Sequence, residues 1–158
     1  MEKGVKIGRV MFVCHGNICR SPMAEFVMRD IVKKRGLESE FVIASCATST
    51  EEIGNDIHRG TRAILTKYNV PFLPREAVQV RRLDYEKYDL FVCMDSANVR
   101  NLGRIFGADP ENKIKKLLDY SARPGDVADP WYTGNFEETW RDVTEGCNAL
   151  LNVLKHEK

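Results

Sequence analysis

Residues 8–14, GRVMFVC, form a short apolar run rich in β-branched and aromatic side chains. Such a run without polar alternation predicts a strand covered on both faces. The segments EFVIASC (40–46) and YDLFVCMD (88–95) have the same character, and KIKKLLDY (113–120) predicts a last strand. AVQV (77–80) predicts a short one. Elsewhere the apolar positions recur at helical spacing. In 20–36 Met23, Val27, Ile31 and Val32 share one face. Ser21 suits its N-cap, Pro22 its first helical position and Gly36 its stop, with Lys33, Lys34 and Arg35 in the last turn, where the helix dipole favours cations. Residues 55–70 predict a helix to about Lys67, before Pro71 and Pro74 impose extended chain. Residues 96–107 predict another, with Ser96 as cap and Gly107 as stop. The final helix starts at Asn135, with Glu138 at capping-box spacing, and carries a stripe of Phe136, Trp140, Val143, Cys147, Leu150, Leu151 and Leu154. Between them, 121–135 reads as a loop from its Pro, Gly and Asp content. The polar end KHEK (155–158) reads as fraying.

Strands alternating with helices predict an α/β fold, a parallel sheet with helices on both faces. Ligands in such sheets bind beyond the carboxyl ends of the strands. At 158 residues, one domain over 1–158 is expected. A net charge of +1 gives no general attraction to nucleic acid or acidic lipid, so neither is expected as a partner. The apolar run near the start is too short for a secretory signal or a membrane span. Five cysteines, Cys14, Cys19, Cys46, Cys93 and Cys147, then read as reduced thiols in a cytoplasmic protein. Cys46, Cys93 and Cys147 fall in strand or helix patterns and are expected in the core, and His58 on a helix surface.

Chemistry concentrates in VCHGNICRSP (13–22), at the end of the first predicted strand. Gly16 permits a positive φ, and Asn17 is among the few other residues that tolerate it. Such a turn aims successive backbone N–H groups inward as a nest for an anion, and the following helix adds its unpaired N–H groups. Arg20 supplies a planar fork for two phosphate oxygens. Cys14 faces the same centre; a helix N-terminus with a nearby cation lowers the pKa of a thiol, and the thiolate is the nucleophile. Anion site plus activated sulfur suits phosphoryl transfer to cysteine. The leaving group then needs an acid, for which Asp129 in VADPWY is the best candidate, although Asp119 and Asp126 are not separated from it by sequence. Trp131 and Tyr132 offer flat walls for an aromatic leaving group. Cys14, His15 and Cys19 allow a zinc reading, but no second ligand pair follows at a suitable distance, and no metal or other cofactor is expected.

Together, VCHGNICRSPMAE, SCATST, EIGND, CMDSANVRNL and ADPWYTGNFEETW resemble the low-molecular-weight protein tyrosine phosphatases in order and spacing, from Val10 to Leu154. The resemblance implies a three-layer, doubly wound sheet of four parallel strands flanked by helices. It implies hydrolysis of phosphotyrosine proteins or small aryl phosphates. Cys14 would be the nucleophile, Arg20 the phosphate clamp, and Asp129 the acid and then the base. His15, Gly16, Asn17, Ile18, Cys19, Ser21, Glu51, Trp131 and Tyr132 would line or shape the substrate site. Ser21 would also hydrogen-bond the sulfur, and Ser45 would brace Asn17. Cys19 matches a second thiol that pairs with the nucleophile under oxidation. Ile18 favours phosphotyrosine over phosphoarginine. Arsenate reduction on the same scaffold needs two further cysteines near a mobile segment. A monomer or weak dimer is expected. The chain departs from the pattern at His15, where relatives carry an aliphatic residue, and at Glu51, where animal relatives carry an aromatic one. PFLPREAVQV also lacks a histidine that braces the loop asparagine, which predicts a less rigid Asn17.

Overall fold

The computed structural model describes residues 8–156. Among these a four-stranded sheet is built from β1 (Gly8–Cys14), β2 (Phe41–Ala47), β3 (Leu90–Cys93) and β4 (Ile114–Lys116), ordered β2-β1-β3-β4. All three pairings are parallel, with Val10 of β1 opposite both Ile43 of β2 and Leu90 of β3. The chain leaves β1 for one neighbour and later returns to its other side. The crevice of such a sheet opens at that reversal, beyond the carboxyl end of β1.

Among the described residues six α-helices flank the sheet: α1 (Arg20–Lys34), α2 (Arg59–Lys67), α3 (Asp84–Lys87), α4 (Ser96–Phe106), α5 (Pro130–Thr133) and α6 (Phe136–His156). Side chains alternate across a strand, so β1 feeds two cores. Val10, Phe12 and Cys14 pack with Met23, Val27 and Met28 of α1 and with Val143, Cys147, Leu150 and Leu151 of α6. Met11 and Val13 face the opposite side, with Phe91, Cys93, Leu102 and Phe106. Each of the larger side chains contributes about 1.5–3 kcal/mol on burial. Cys46, Cys93 and Cys147 lie in these cores, where burial pushes their thiols up.

Several boundaries differ from the sequence reading. Ser21 does not cap α1: Cys19 holds that position without a side-chain cap, because the Ser21 hydroxyl bonds inside the loop. Asp95, not Ser96, caps α4, in a reciprocal box with Asn98. The helix predicted from 55 starts at Arg59, since Gly54 and Asn55 instead exchange backbone bonds with Ala77. His58 is therefore an N-cap, its Nδ1 accepting from the Gly60 N–H at 2.9 Å. AVQV gives only an isolated bridge between Ala47 and Gln79. The segment 113–120 holds a three-residue strand and then a 3-10 helix, Leu117–Tyr120, because Leu117 and Leu118 both turn into the core. The predicted loop 121–135 contains α5, and α3 had no periodic signal. Gly36 and Gly107 end their helices with positive φ of 69° and 83°, as read. The Asn135 side chain accepts from Glu138 N at 3.0 Å, also as read. Helix α6 continues through Lys155 to His156, while the rest of KHEK lies outside the described residues.

Gly146 sits where a Cβ would lie 2.4 Å from Cγ of Leu117, while a Cβ on Gly103 in α4 meets nothing within 4 Å. Gly146→Ala is expected to destabilise by about 1–3 kcal/mol through overpacking. Gly103→Ala is expected to be neutral or to stabilise by up to about 1 kcal/mol. Paired urea unfolding curves check both.

Candidate active site

The chain leaves β1 at Cys14, runs through the five-residue turn 15–19 and enters α1 at Arg20. Asn17 is the pivot, with a φ of 61°, in the left-handed region that asparagine tolerates better than most residues. It is fully buried, so its polar atoms need partners. Its N–H donates to Cys14 Sγ at 3.3 Å. Its Nδ2 donates to Ser21 Oγ at 2.8 Å and Ser45 Oγ at 2.9 Å. Its Oδ1 accepts from Val78 N at 3.1 Å and Arg75 Nη2 at 2.7 Å, and the same nitrogen reaches its backbone oxygen at 2.6 Å. The expected slackness from a missing histidine is therefore overturned: Arg75 takes the brace. Behind the loop the Ser45 hydroxyl donates to the buried Glu25 at 2.6 Å, and Arg29 pairs with the same carboxylate at 2.6 Å.

Cys14 Sγ and Ser21 Oγ lie 3.0 Å apart, both buried. Arg20 is 3 % exposed; its Nη1 donates to Asp95 Oδ2 at 2.8 Å and to the Val127 carbonyl at 3.1 Å, and its Nη2 to Asp129 Oδ2 at 3.2 Å. Burial alone pushes the Arg20 guanidinium down, but the Cys14 sulfur and the Asp129 and Asp95 carboxylates together hold it above its ordinary value. It is thus a fixed cation. Cys19 behaves oppositely: burial first, then the charges of Cys14 and Asp129, push its thiol up to about 12. That thiol is protonated at neutral pH.

Cys14, His15, Gly16, Ile18, Cys19, Arg20, Glu51, Asp129, Trp131 and Tyr132 line a single cavity of about 480 Å³. Asn17, Ser21 and Ser45 stand behind the loop and shape it rather than line the cavity. Asp126 is engaged elsewhere, with Lys116 at 2.9 Å, and Asp119 does not line the cavity; Asp129 does. At the rim His15 Nε2 meets Glu51 Oε1 at 3.1 Å. Trp131 and Tyr132 are exposed by 58 % and 84 %. Trp131 meets the edge of His58, whose ring stacks on Phe136. Sequence reasoning missed Asp95, Glu52, Asn101 and Arg75. Asp95 was legible as the cap before Asn98; Arg75 carried no local signal. Among the described residues no group of three or more His, Cys, Asp or Glu is placed to hold a metal. The arrangement offers an anion a buried guanidinium and a helix N-terminus, beside a sulfur and a carboxyl.

The family model described as low molecular weight phosphotyrosine protein phosphatase matches residues 9–158. The low molecular weight protein-tyrosine-phosphatase YfkJ of Bacillus subtilis strain 168 is 42% identical over 151 residues, covering 94% of this chain and 97% of that one. Low molecular weight protein-tyrosine-phosphatase PtpA of Staphylococcus aureus strain MRSA252 is 38% identical over 146 residues, covering 92% of each chain. The crystal structure of B. subtilis YfkJ superposes with a TM-score of 0.93 at 41% identity over 99% of both chains.

Asn17→Gly relieves the positive φ but strands the partners of its amide, whereas Asn17→Ala does both harms. A bond lost at a buried site costs about 1–3 kcal/mol, and a left-handed φ at alanine adds about 1–2 kcal/mol. Urea unfolding is expected to rank wild type above Asn17→Gly, and that above Asn17→Ala.

Proposed function

The chain belongs to the low molecular weight phosphotyrosine protein phosphatase family, and from that premise we propose that it hydrolyses phosphotyrosine, in proteins or small aryl phosphates, through a phosphocysteine intermediate. The observation that carries this reading is the convergence of Cys14, Arg20 and Asp129 on one cavity. The phosphate sits on the loop N–H groups, and Arg20 takes two of its oxygens, its Nη2 giving up Asp129. Asp95 keeps the guanidinium in plane by holding Nη1. The Cys14 sulfur attacks phosphorus, and the bond from phosphorus to the phenolic oxygen breaks. Asp129 passes its proton to that oxygen, so a neutral phenol leaves. Trp131, Tyr132 and Ile18 flank the ring. A water then attacks the phosphocysteine, Asp129 takes its proton, and inorganic phosphate departs with the thiolate restored. Ser21, 3.0 Å from the sulfur, stabilises it as it leaves phosphorus. No reactant beyond water is needed, and no cofactor.

The arsenate reductase reading needs two further cysteines near a mobile segment to relay electrons from the loop. Cys46, Cys93 and Cys147 are buried in the cores and do not line the cavity. Under oxidation Cys14 and Cys19 form the reversible pair, which mass mapping of peroxide-treated protein checks. The site belongs to one domain over 1–158, acting as a monomer or weak dimer in the cytoplasm. That location rests on the five free thiols. Among the described residues no helix is long and apolar enough to cross a membrane.

Cys14→Ser is expected to abolish release of phosphate from p-nitrophenyl phosphate while phosphate binding persists; substantial turnover by that variant excludes the covalent route. Asp129→Asn is expected to lower kcat on phosphotyrosine by about 10²–10⁴-fold, the range of general-acid catalysis, with a smaller loss on p-nitrophenyl phosphate, whose leaving group needs less protonation.

A further inference from the structure

Arg75 lies in an extended segment remote in sequence from the phosphate loop, and its guanidinium nevertheless closes on that loop. Nη2 spends its two hydrogens on the two oxygens of Asn17, the backbone oxygen at 2.6 Å and Oδ1 at 2.7 Å. Nη1 reaches back to the Asn55 carbonyl at 3.2 Å, which ties the guanidinium to the segment beside α2. We propose that Arg75 is a positioning residue for phosphate transfer: it fixes the left-handed turn at Asn17, and through it the direction of the loop N–H groups and the Cys14 sulfur. The proposal rests on the phosphatase reading and adds a residue that neither touches substrate nor lines the cavity.

The reasoning is geometric. A residue at positive φ returns to the ordinary backbone regions unless the surroundings over-determine it. Five partners surround Asn17, and four of them, Cys14, Ser21, Ser45 and Val78, each reach it at a single atom of Asn17. Arg75 alone holds both its main-chain and its side-chain oxygen, so it alone fixes the peptide plane relative to the amide. That plane also carries the Ile18 N–H, so its rotation would re-aim an amide of the phosphate loop and release the φ at Asn17, whose own N–H lies 3.3 Å from the sulfur. The planar, permanently charged fork suits this double grip; a lysine reproduces the charge and part of the bonding but not the tie to Asn55.

The test compares the full-length wild type with Arg75→Met and Arg75→Lys. The expected result is a fall in kcat of about tenfold or more for Arg75→Met, the scale of a small misplacement of reacting groups, with KM changed far less. The inhibition constant of orthovanadate, which imitates the transition state, should rise in parallel with the loss in kcat/KM. Arg75→Lys should regain part of both. Loss of stability alone would lower Tm without splitting kcat from KM. A folded Arg75→Met with kcat and vanadate inhibition within about twofold of wild type overturns the proposal. If Arg75→Met does not fold, Arg75→Gln is judged by the same criterion. Failure of both to fold would assign Arg75 to stability and also overturn it. Calorimetry with inorganic phosphate on Cys14→Ser, with and without Arg75→Met, reads the loop without turnover. Weaker binding in the double variant supports the proposal and equal binding overturns it. Absence of turnover in the wild type would instead sink the phosphatase reading and leave this binding measurement standing.

Discussion

A single buried asparagine in a left-handed turn carries the architecture of the loop. Asn17 has no exposed surface, and its main-chain nitrogen, both side-chain polar atoms and main-chain oxygen are all engaged. In a low-dielectric interior each of those bonds is strong, and each would be costly to leave unmade. The partners come from β1, α1, β2 and the 75–78 segment, so the loop is locked by parts of the chain far apart in sequence. The same network then runs outward from Ser45 through Glu25 to Arg29 on the surface of α1. A turn that ordinary backbone preferences disfavour is in this way held by the sheet and two of its flanking segments.

Charge is arranged on the same principle. Arg20 is buried between two carboxylates, Asp95 and Asp129, with Val127 supplying a carbonyl. A buried cation without partners would be costly. Here Asp95 is itself fixed, because its other oxygen caps α4 by accepting from Asn98 N at 2.8 Å. Asp129 likewise uses its second oxygen to cap α5, accepting from Trp131 N at 3.0 Å. Each acid thus joins the guanidinium to a helix start, and the two helix caps set where the positive centre lies.

Much of this was legible in the chain. The apolar runs point to β1, β2 and β3, the 3–4 stripes to α1 and α6, the cap and stop residues to α4, and the Cys14–Arg20 spacing and the Asp-Pro turn at Asp129 are written in the chain. Local signals failed where tertiary bonds override them. Ser21 has a good capping side chain, yet its hydroxyl serves Asn17 and Cys14. The 113–120 run has strand composition, yet Leu117 and Leu118 are needed on the core side and the chain coils there. Asp95 could have been found as a cap, because its capping box is written within four residues. Arg75 could not, because its role depends on a meeting with Asn17 across 58 positions, which no local pattern encodes.

The floor and the rim of the cavity are built differently, and the difference bears on how such an enzyme divides rate from selectivity. Floor residues Cys14 and Arg20 are buried and multiply bonded, so their positions are largely set before substrate arrives, and of these bonds the proposed mechanism breaks that from Arg20 to Asp129. Preorganisation of that kind lowers the barrier without reorganisation at the moment of reaction. The rim is looser: His15 and Glu51 pair in the open, and Tyr132 is largely exposed. An exposed polar contact of this kind contributes little to stability, so the rim tolerates substitution that the floor does not. Glu51 and Glu52 leave acidic groups at the mouth of a site whose base is cationic. An approaching anion therefore meets acidic groups at the mouth and a guanidinium at the base. On the proposed mechanism, changes at the rim would bear on which phosphate is presented, and changes in the bonds around Asn17 on how fast it is transferred.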